Sequence, residues 1–172
     1  MFLQIVMAIC VLLATIIIHG VTVMLMFRMG RGPVTHPLEL SALFRLGISC
    51  YFVIGFVIAH IIEIILWAAV YRLAGALPSF EEAAYFSAIT YATIGYGDIT
   101  LSNEFRLASA LEGVNGILLF GWTTAFLFKV SELLWFSRSV PRQTSLDRET
   151  KVPAVSDKRQ PLAQASPTPD PN

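Results

Sequence analysis

The sequence predicts an all-α membrane protein: three spanning helices, with a short additional helix that enters and leaves the bilayer from the same side. Three observations point there. Of 172 residues, 55% are hydrophobic and only 14% are charged, which is too apolar for an ordinary soluble domain. The apolar residues gather in three runs, each long enough to cross ~30 Å of hydrocarbon at ~1.5 Å per residue. Between the second and third runs lies a helical stretch of about 13 residues, too short to span. With Lys+Arg and Asp+Glu both at 12, there is no charge excess to suggest a nucleic-acid partner. Cys10 and Cys50 sit inside apolar runs, where a thiol behaves as a small hydrophobe, and two cysteines define neither a disulfide framework nor a metal site.

The first run, residues 1–27, is interrupted only by Gln4, Thr15, His19, Gly20 and Thr22, and reads as a peripheral spanning helix. A cleaved leader carries its basic residues before the apolar stretch, whereas Arg28 and Arg31 follow it here. The positive-inside rule therefore puts the amino terminus outside and residues 28–45 in the cytoplasm. Gly30, Gly32, Pro33 and Pro37 are expected to break the helix in that linker, with Pro37 to Phe44 a candidate interfacial helix whose Leu38, Leu40 and Leu43 meet the membrane. The second span, 46–71, ends in Trp67, Tyr71 and Arg72, residues suited to the membrane boundary. An outer turn, Gly75 to Pro78, leads into Ser79-Phe80-Glu81-Glu82, which has the spacing of a capping box and starts the short helix over 80–92. The third span, Leu107 to Phe128 within a helix over 105–130, has Ser102 or Asn103 as its expected N-cap. From Ser137 the apolar pattern stops. Six of the nine prolines lie in residues 137–172, a composition that predicts a disordered tail. Its six basic residues agree with a cytoplasmic carboxyl terminus in the plasma membrane.

Between the short helix and the third span runs Thr93-Ile94-Gly95-Tyr96-Gly97-Asp98. Glycines at alternate positions can take φ > 0 without steric cost, so successive carbonyls can point the same way and replace an ion's hydration shell. A dinucleotide-binding loop is excluded, because it requires a third glycine at position 100, which is Thr. The motif resembles the potassium-channel signature Thr-Val-Gly-Tyr-Gly, with Ile94 in place of Val. The order of helix, re-entrant helix, motif and helix is similar to the potassium-channel pore module across 46–131, about half the chain.

That resemblance implies a homotetramer in lipid with four filters around one axis, K+ as permeant ligand, and no other cofactor. Thr93 would contribute its hydroxyl and carbonyl, Ile94, Gly95, Tyr96 and Gly97 the filter backbone, and Asp98 the pore mouth. It also implies a bend in the third span at Gly116, with Gly121 and Gly113 as alternatives. Close helix packing is an equal reading of those glycines. Ile117, Phe120, Thr124 and Phe128 recur at three- and four-residue spacing, as expected for a face that lines the inner mouth or packs against a neighbour. The chain departs from the family in two places. The tryptophan pair that braces the filter in many relatives is Tyr85-Phe86 here, which loses the indole donors. A carboxylate that some relatives place behind the filter is Ile89, so its pairing with the Asp98 position is unavailable. No arginine ladder marks a voltage sensor in the first helix.

His60 and Glu63 lie one turn apart in the second span, and Glu112 and Asn115 one turn apart in the third. Ionisable groups at membrane depth are costly unless paired, so these four are expected to form a buried polar cluster, with His19 able to join. Interhelical hydrogen bonding and proton sensing both fit. Two other functions are weighed against conduction. One is a non-conducting regulatory subunit that retains the filter. The other is an intramembrane metal-dependent enzyme using His60, Glu63 and Glu112, for which no recognisable motif is present.

Overall fold

A computed structural model describes residues 2–35 and 41–136, with side chains described for 3–29 and 41–136. The element order is α1 (Phe2–Thr35), α2 (Ala42–Leu73), α3 (Phe80–Tyr91) and α4 (Arg106–Ser131), the last continued by a π-helical turn at Glu132–Phe136. Three of these helices are long and apolar enough to cross a membrane, and the 12-residue α3 is not. The protein is an integral membrane protein whose described residues form helices and no strands, as its composition predicts.

The boundaries differ from expectation in physically informative places. α1 does not break in the linker but runs through Gly30, Gly32 and Pro33 to Thr35. Proline near a helix end deletes one backbone hydrogen bond, and each glycine costs about 1 kcal/mol, which a long helix absorbs. Leu43 and Phe44 are not in a separate interfacial helix: they form the first turn of α2, which starts behind Ser41, whose hydroxyl accepts from the Phe44 N–H at 3.3 Å. The rest of that predicted helix, residues 37–40, and the predicted disordered tail lie outside the described residues.

Ser79 caps α3 as expected, accepting from the Glu82 N–H at 3.1 Å. By contrast, α4 has neither Ser102 nor Asn103 as its N-cap. Phe105 holds that position with no side-chain hydrogen bond, and the turn is closed by the Phe105 N–H donating to the Ser102 carbonyl at 3.0 Å. Burial of the Phe105 ring anchors the end that a polar cap would otherwise hold.

α1 packs on α2 and α4, and α3 lies between α2 and α4. The buried residues of α1, Ala8, Val11, Thr15, His19 and Met26, recur at helical spacing and define one inward face. At one end of the bundle Trp67, Tyr71, Phe86 and Tyr91 pack with Leu119. At the other, Met26, Phe52, Phe56, Val130 and Leu134 form a second core. Each fully buried aromatic or aliphatic side chain contributes roughly 1.5–3 kcal/mol. Arg45 ties the first turn of α2 to the π-helical turn that follows α4, donating to the Leu134 carbonyl at 3.4 Å and lying over the Trp135 ring.

Candidate functional site

The site starts where α3 stops. The carbonyls of a helix's last turn have no partners within the helix, and here the following residues fold back onto them. The Ala92 N–H donates to Ala88 O at 3.1 Å and the Thr93 N–H to Thr90 O at 2.9 Å. Ile89 O accepts from both Ile94 N–H, 2.8 Å, and Gly95 N–H, 3.1 Å. Ile89 therefore braces the loop through its backbone, at the position where the side chain offers no carboxylate.

Beyond that anchor the backbone alternates. Thr93, Gly95 and Gly97 have φ of 58°, 54° and 79°, while Ile94 and Tyr96 do not share the positive region. Alternation of left- and right-handed residues turns every second peptide over, so that successive carbonyls face one side of the strand instead of opposite sides. The two glycines adopt this conformation freely. Thr93 is β-branched, and a positive φ costs such a residue about 1–3 kcal/mol. The hydrogen bonds from the Thr93, Ile94 and Gly95 N–H groups back to α3 hold it. Ile94 and Tyr96 are 54% and 70% exposed in the single chain.

The aromatic pair before the loop divides its roles. The Tyr85 hydroxyl donates to Asp98 Oδ2 at 2.8 Å, so a phenol supplies the donor that the missing indole would have given. The hydrogen bond to Asp98, with smaller contributions from desolvation and the nearby negative charge, raises the Tyr85 hydroxyl above the usual tyrosine range. Phe86 turns inward and meets the Tyr71 ring edge-on, centroids 5.5 Å apart.

On α4 the glycines are not equivalent. A Cβ at Gly116 would collide with the Tyr91 carbonyl, a Cβ at Gly113 would stand 3.6 Å from Thr90 O, and one at Gly121 would meet nothing within 4 Å. Gly116 thus serves close packing of α4 on the last turn of α3. Ile117, Thr124 and Phe128 lie on the exposed face of α4. Phe120 differs, because its ring leans on His60 and Tyr91 with centroids 4.5 and 5.5 Å away.

The expected single polar cluster is divided: the two carboxyls stand in separate sites and Asn115 in neither. Glu63, fully buried, receives the Tyr91 hydroxyl and lies 3.0 Å from His19 Nδ1 and 3.1 Å from His60 Nδ1. The Nε2 atoms of His60 and His19 both reach Thr123 Oγ1, at 3.0 and 3.2 Å. Glu112, also fully buried, does not join them: it is hydrogen-bonded by Tyr71, 2.8 Å away, and by Ser87. Asn115 turns to α1 and donates to Thr15 Oγ1 at 2.7 Å. Sharing a helix face does not fix depth, and Glu112 faces the C-terminal end of α2, at Tyr71, two turns beyond Glu63. Tyr71, Ser87, Tyr91 and Thr123 were not among the expected site residues, although each is a polar side chain in an apolar helix, which was the available signal.

Residues 59–132 match a sequence family described as ion channel. The match takes in the C-terminal half of α2, all of α3, the Thr93–Asp98 loop and α4. No curated protein and no solved structure matches the chain.

Proposed function

The chain carries a domain of the ion channel family over residues 59–132, and on that premise we propose that it conducts potassium ions passively through a homotetramer in the plasma membrane. One observation carries the reading: the alternating backbone at Thr93, Gly95 and Gly97, which supports a row of carbonyls from Thr93 to Gly97 on one side of the loop. One chain offers a single carbonyl per layer, and a desolvated cation needs several. Four copies around an axis supply them. The exposure of Ile94 and Tyr96 in the single chain, and of the Ile117, Thr124 and Phe128 face of α4, supports neighbours and a central cavity on that side. Asp98, held by Tyr85, then stands at the outer mouth. The α3 helix directs the negative end of its dipole toward the cavity and favours a cation there. The amino terminus is outside and the carboxyl terminus cytoplasmic, on the strength of the basic residues after α1 and in the tail.

Bi-ionic reversal potentials in reconstituted bilayers test this directly. Potassium and rubidium should pass and sodium should not; equal sodium and potassium permeability would sink the selectivity. Gly95→Ala and Gly97→Ala should each abolish conduction or selectivity, because a Cβ opposes the φ > 0 backbone. Native mass measurement of the purified protein should give four chains. A silent bilayer with intact tetramers would favour the regulatory-subunit alternative.

A further inference from the structure

Four side chains from three helices converge on one buried point that the proposed conduction pathway does not use. His19 comes from α1, His60 and Glu63 from α2, and Tyr91 from α3. The ligand atoms of His19, His60 and Glu63 all lie within 4.8 Å of one another. His19 Nδ1 lies 3.0 Å from Glu63 Oε1 and His60 Nδ1 lies 3.1 Å from both Glu63 Oε2 and Tyr91 Oη, while Tyr91 Oη and Glu63 Oε2 are closer, hydrogen-bonded at 2.5 Å. In tetrahedral zinc with bonds of 2.0–2.1 Å, neighbouring ligand atoms stand roughly 3.3 Å apart. We propose that His19, His60, Glu63 and Tyr91 form a binding site for one first-row transition-metal dication of the zinc class, which pins the peripheral helix α1 to the rest of the bundle.

The outer hydrogen bonds accommodate a guest. With two neutral imidazoles that both donate Nδ1–H to Glu63, two Nε2 lone pairs face the single hydroxyl hydrogen of Thr123. An extra proton on one ring or a dication on the two Nδ1 atoms resolves this, and the dication does so with both imidazoles neutral. Both Nε2–H groups then donate to Thr123 Oγ1, which has two lone pairs for them, and Thr123 becomes the outer group that fixes both ring orientations. The donor set of two imidazoles, a carboxylate and a phenol is the nitrogen and oxygen mixture that zinc accepts, and the negative Glu63 offsets part of its charge. Four protein donors close the coordination sphere. The site is a clamp and not a catalyst, since no position is left for a reacting water. His19 and Glu63 are fully buried, so the metal would enter during assembly of the helices.

The test is metal content of the full-length protein in detergent, a reading independent of ion conduction. Protein expressed with zinc supplementation should retain about one zinc per chain through dialysis. His19→Gln and Glu63→Gln should each lose it while Glu112→Gln, outside the cluster, keeps it. Wild-type protein grown with cobalt should show the intense visible bands of tetrahedral Co2+, which requires no variant to fold. Wild-type zinc below about a tenth per chain together with no cobalt bands would overturn the proposal. So would full zinc retention in both His19→Gln and Glu63→Gln. An opening probability that changes with pH in metal-free wild type, and is flat in His19→Gln, would assign the vacancy in the hydrogen-bond count to a proton and would also overturn it.

Discussion

Glu63 and Glu112 are both fully buried carboxyls in membrane-spanning helices, yet their surroundings have little in common. Glu63 is met by two imidazoles and a phenol, with a residue from each of the four helices in the network: His19, His60, Tyr91 and Thr123. Glu112 is met by hydroxyls alone, Tyr71 from α2 and Ser87 from α3. The Glu112 site therefore lies wholly among α2, α3 and α4, whereas the Glu63 site is incomplete without α1. A buried charge needs compensating groups of opposite or adaptable charge, while neutral donors suffice for a network that can be satisfied without ionic partners. One site staples the pore helices to each other; the other depends on the additional helix.

The sharpest way to break that contrast is to remove each acid in turn. Glu63→Gln should cost about 3 kcal/mol or more, read as thermal unfolding of the purified protein, because both imidazoles lose the carboxylate they face. Glu112→Gln should cost less than about 1 kcal/mol. Its amide oxygen still accepts from Tyr71, and its N–H can donate to Ser87 Oγ, leaving the Ser87 hydrogen for the Ile64 carbonyl 2.9 Å away. Equal losses in the two variants would erase the distinction.

A smaller effect separates the phenols. Tyr91→Phe and Tyr71→Phe should each lose about 1–3 kcal/mol by leaving a buried acceptor short of a donor. Only Tyr91→Phe should also change unitary conductance or its stability in time, since Tyr91 stands two residues before Thr93 at the end of α3. Single-channel recording distinguishes them. Smaller again is Thr15→Val, which removes the acceptor of Asn115 and should cost roughly 1 kcal/mol.

The smallest expected effect lies outside the three long apolar helices and carries a pH signature. The hydrogen bond to Asp98 raises the Tyr85 hydroxyl above its ordinary value, so the folded state favours the protonated phenol. The stabilisation is fully present below the unfolded tyrosine range, near pH ~10, and is lost as pH rises through the raised folded value. Wild type should thus be slightly more stable than Tyr85→Phe at neutral pH. The gap should close only at strongly alkaline pH, and a gap that instead closed on acidification to pH 7 would contradict the assignment.

Much of this architecture was legible in the residues. Three apolar runs and a capped short helix are local signals, and Ser79, Gly95 and Gly97 behave as local chemistry requires. What the sequence could not convey was relative depth. His60, Glu63, Glu112 and Asn115 share inward faces by helical spacing, but whether Glu112 meets Glu63 depends on how far α4 slides along α2. Periodicity is blind to that translation. The same blindness hid Tyr71, Ser87 and Thr123 as partners and left His19 without an assigned place. The backbone of Thr93 was hidden for another reason, since a β-branched residue gives no local sign of φ > 0 and adopts it only under the bonds returning to α3.

The missing side chain at Gly116 has a mechanical consequence. α4 meets the Tyr91 carbonyl backbone against backbone, with no flexible group between them to absorb displacement. Side-chain contacts cushion, because rotamers can shift; a main-chain contact transmits. Any displacement of α4 at this level bears directly on the last turn of α3. Thr93 begins two residues further on, so a displacement of α4 reaches the positive-φ loop through main chain and not through side chains.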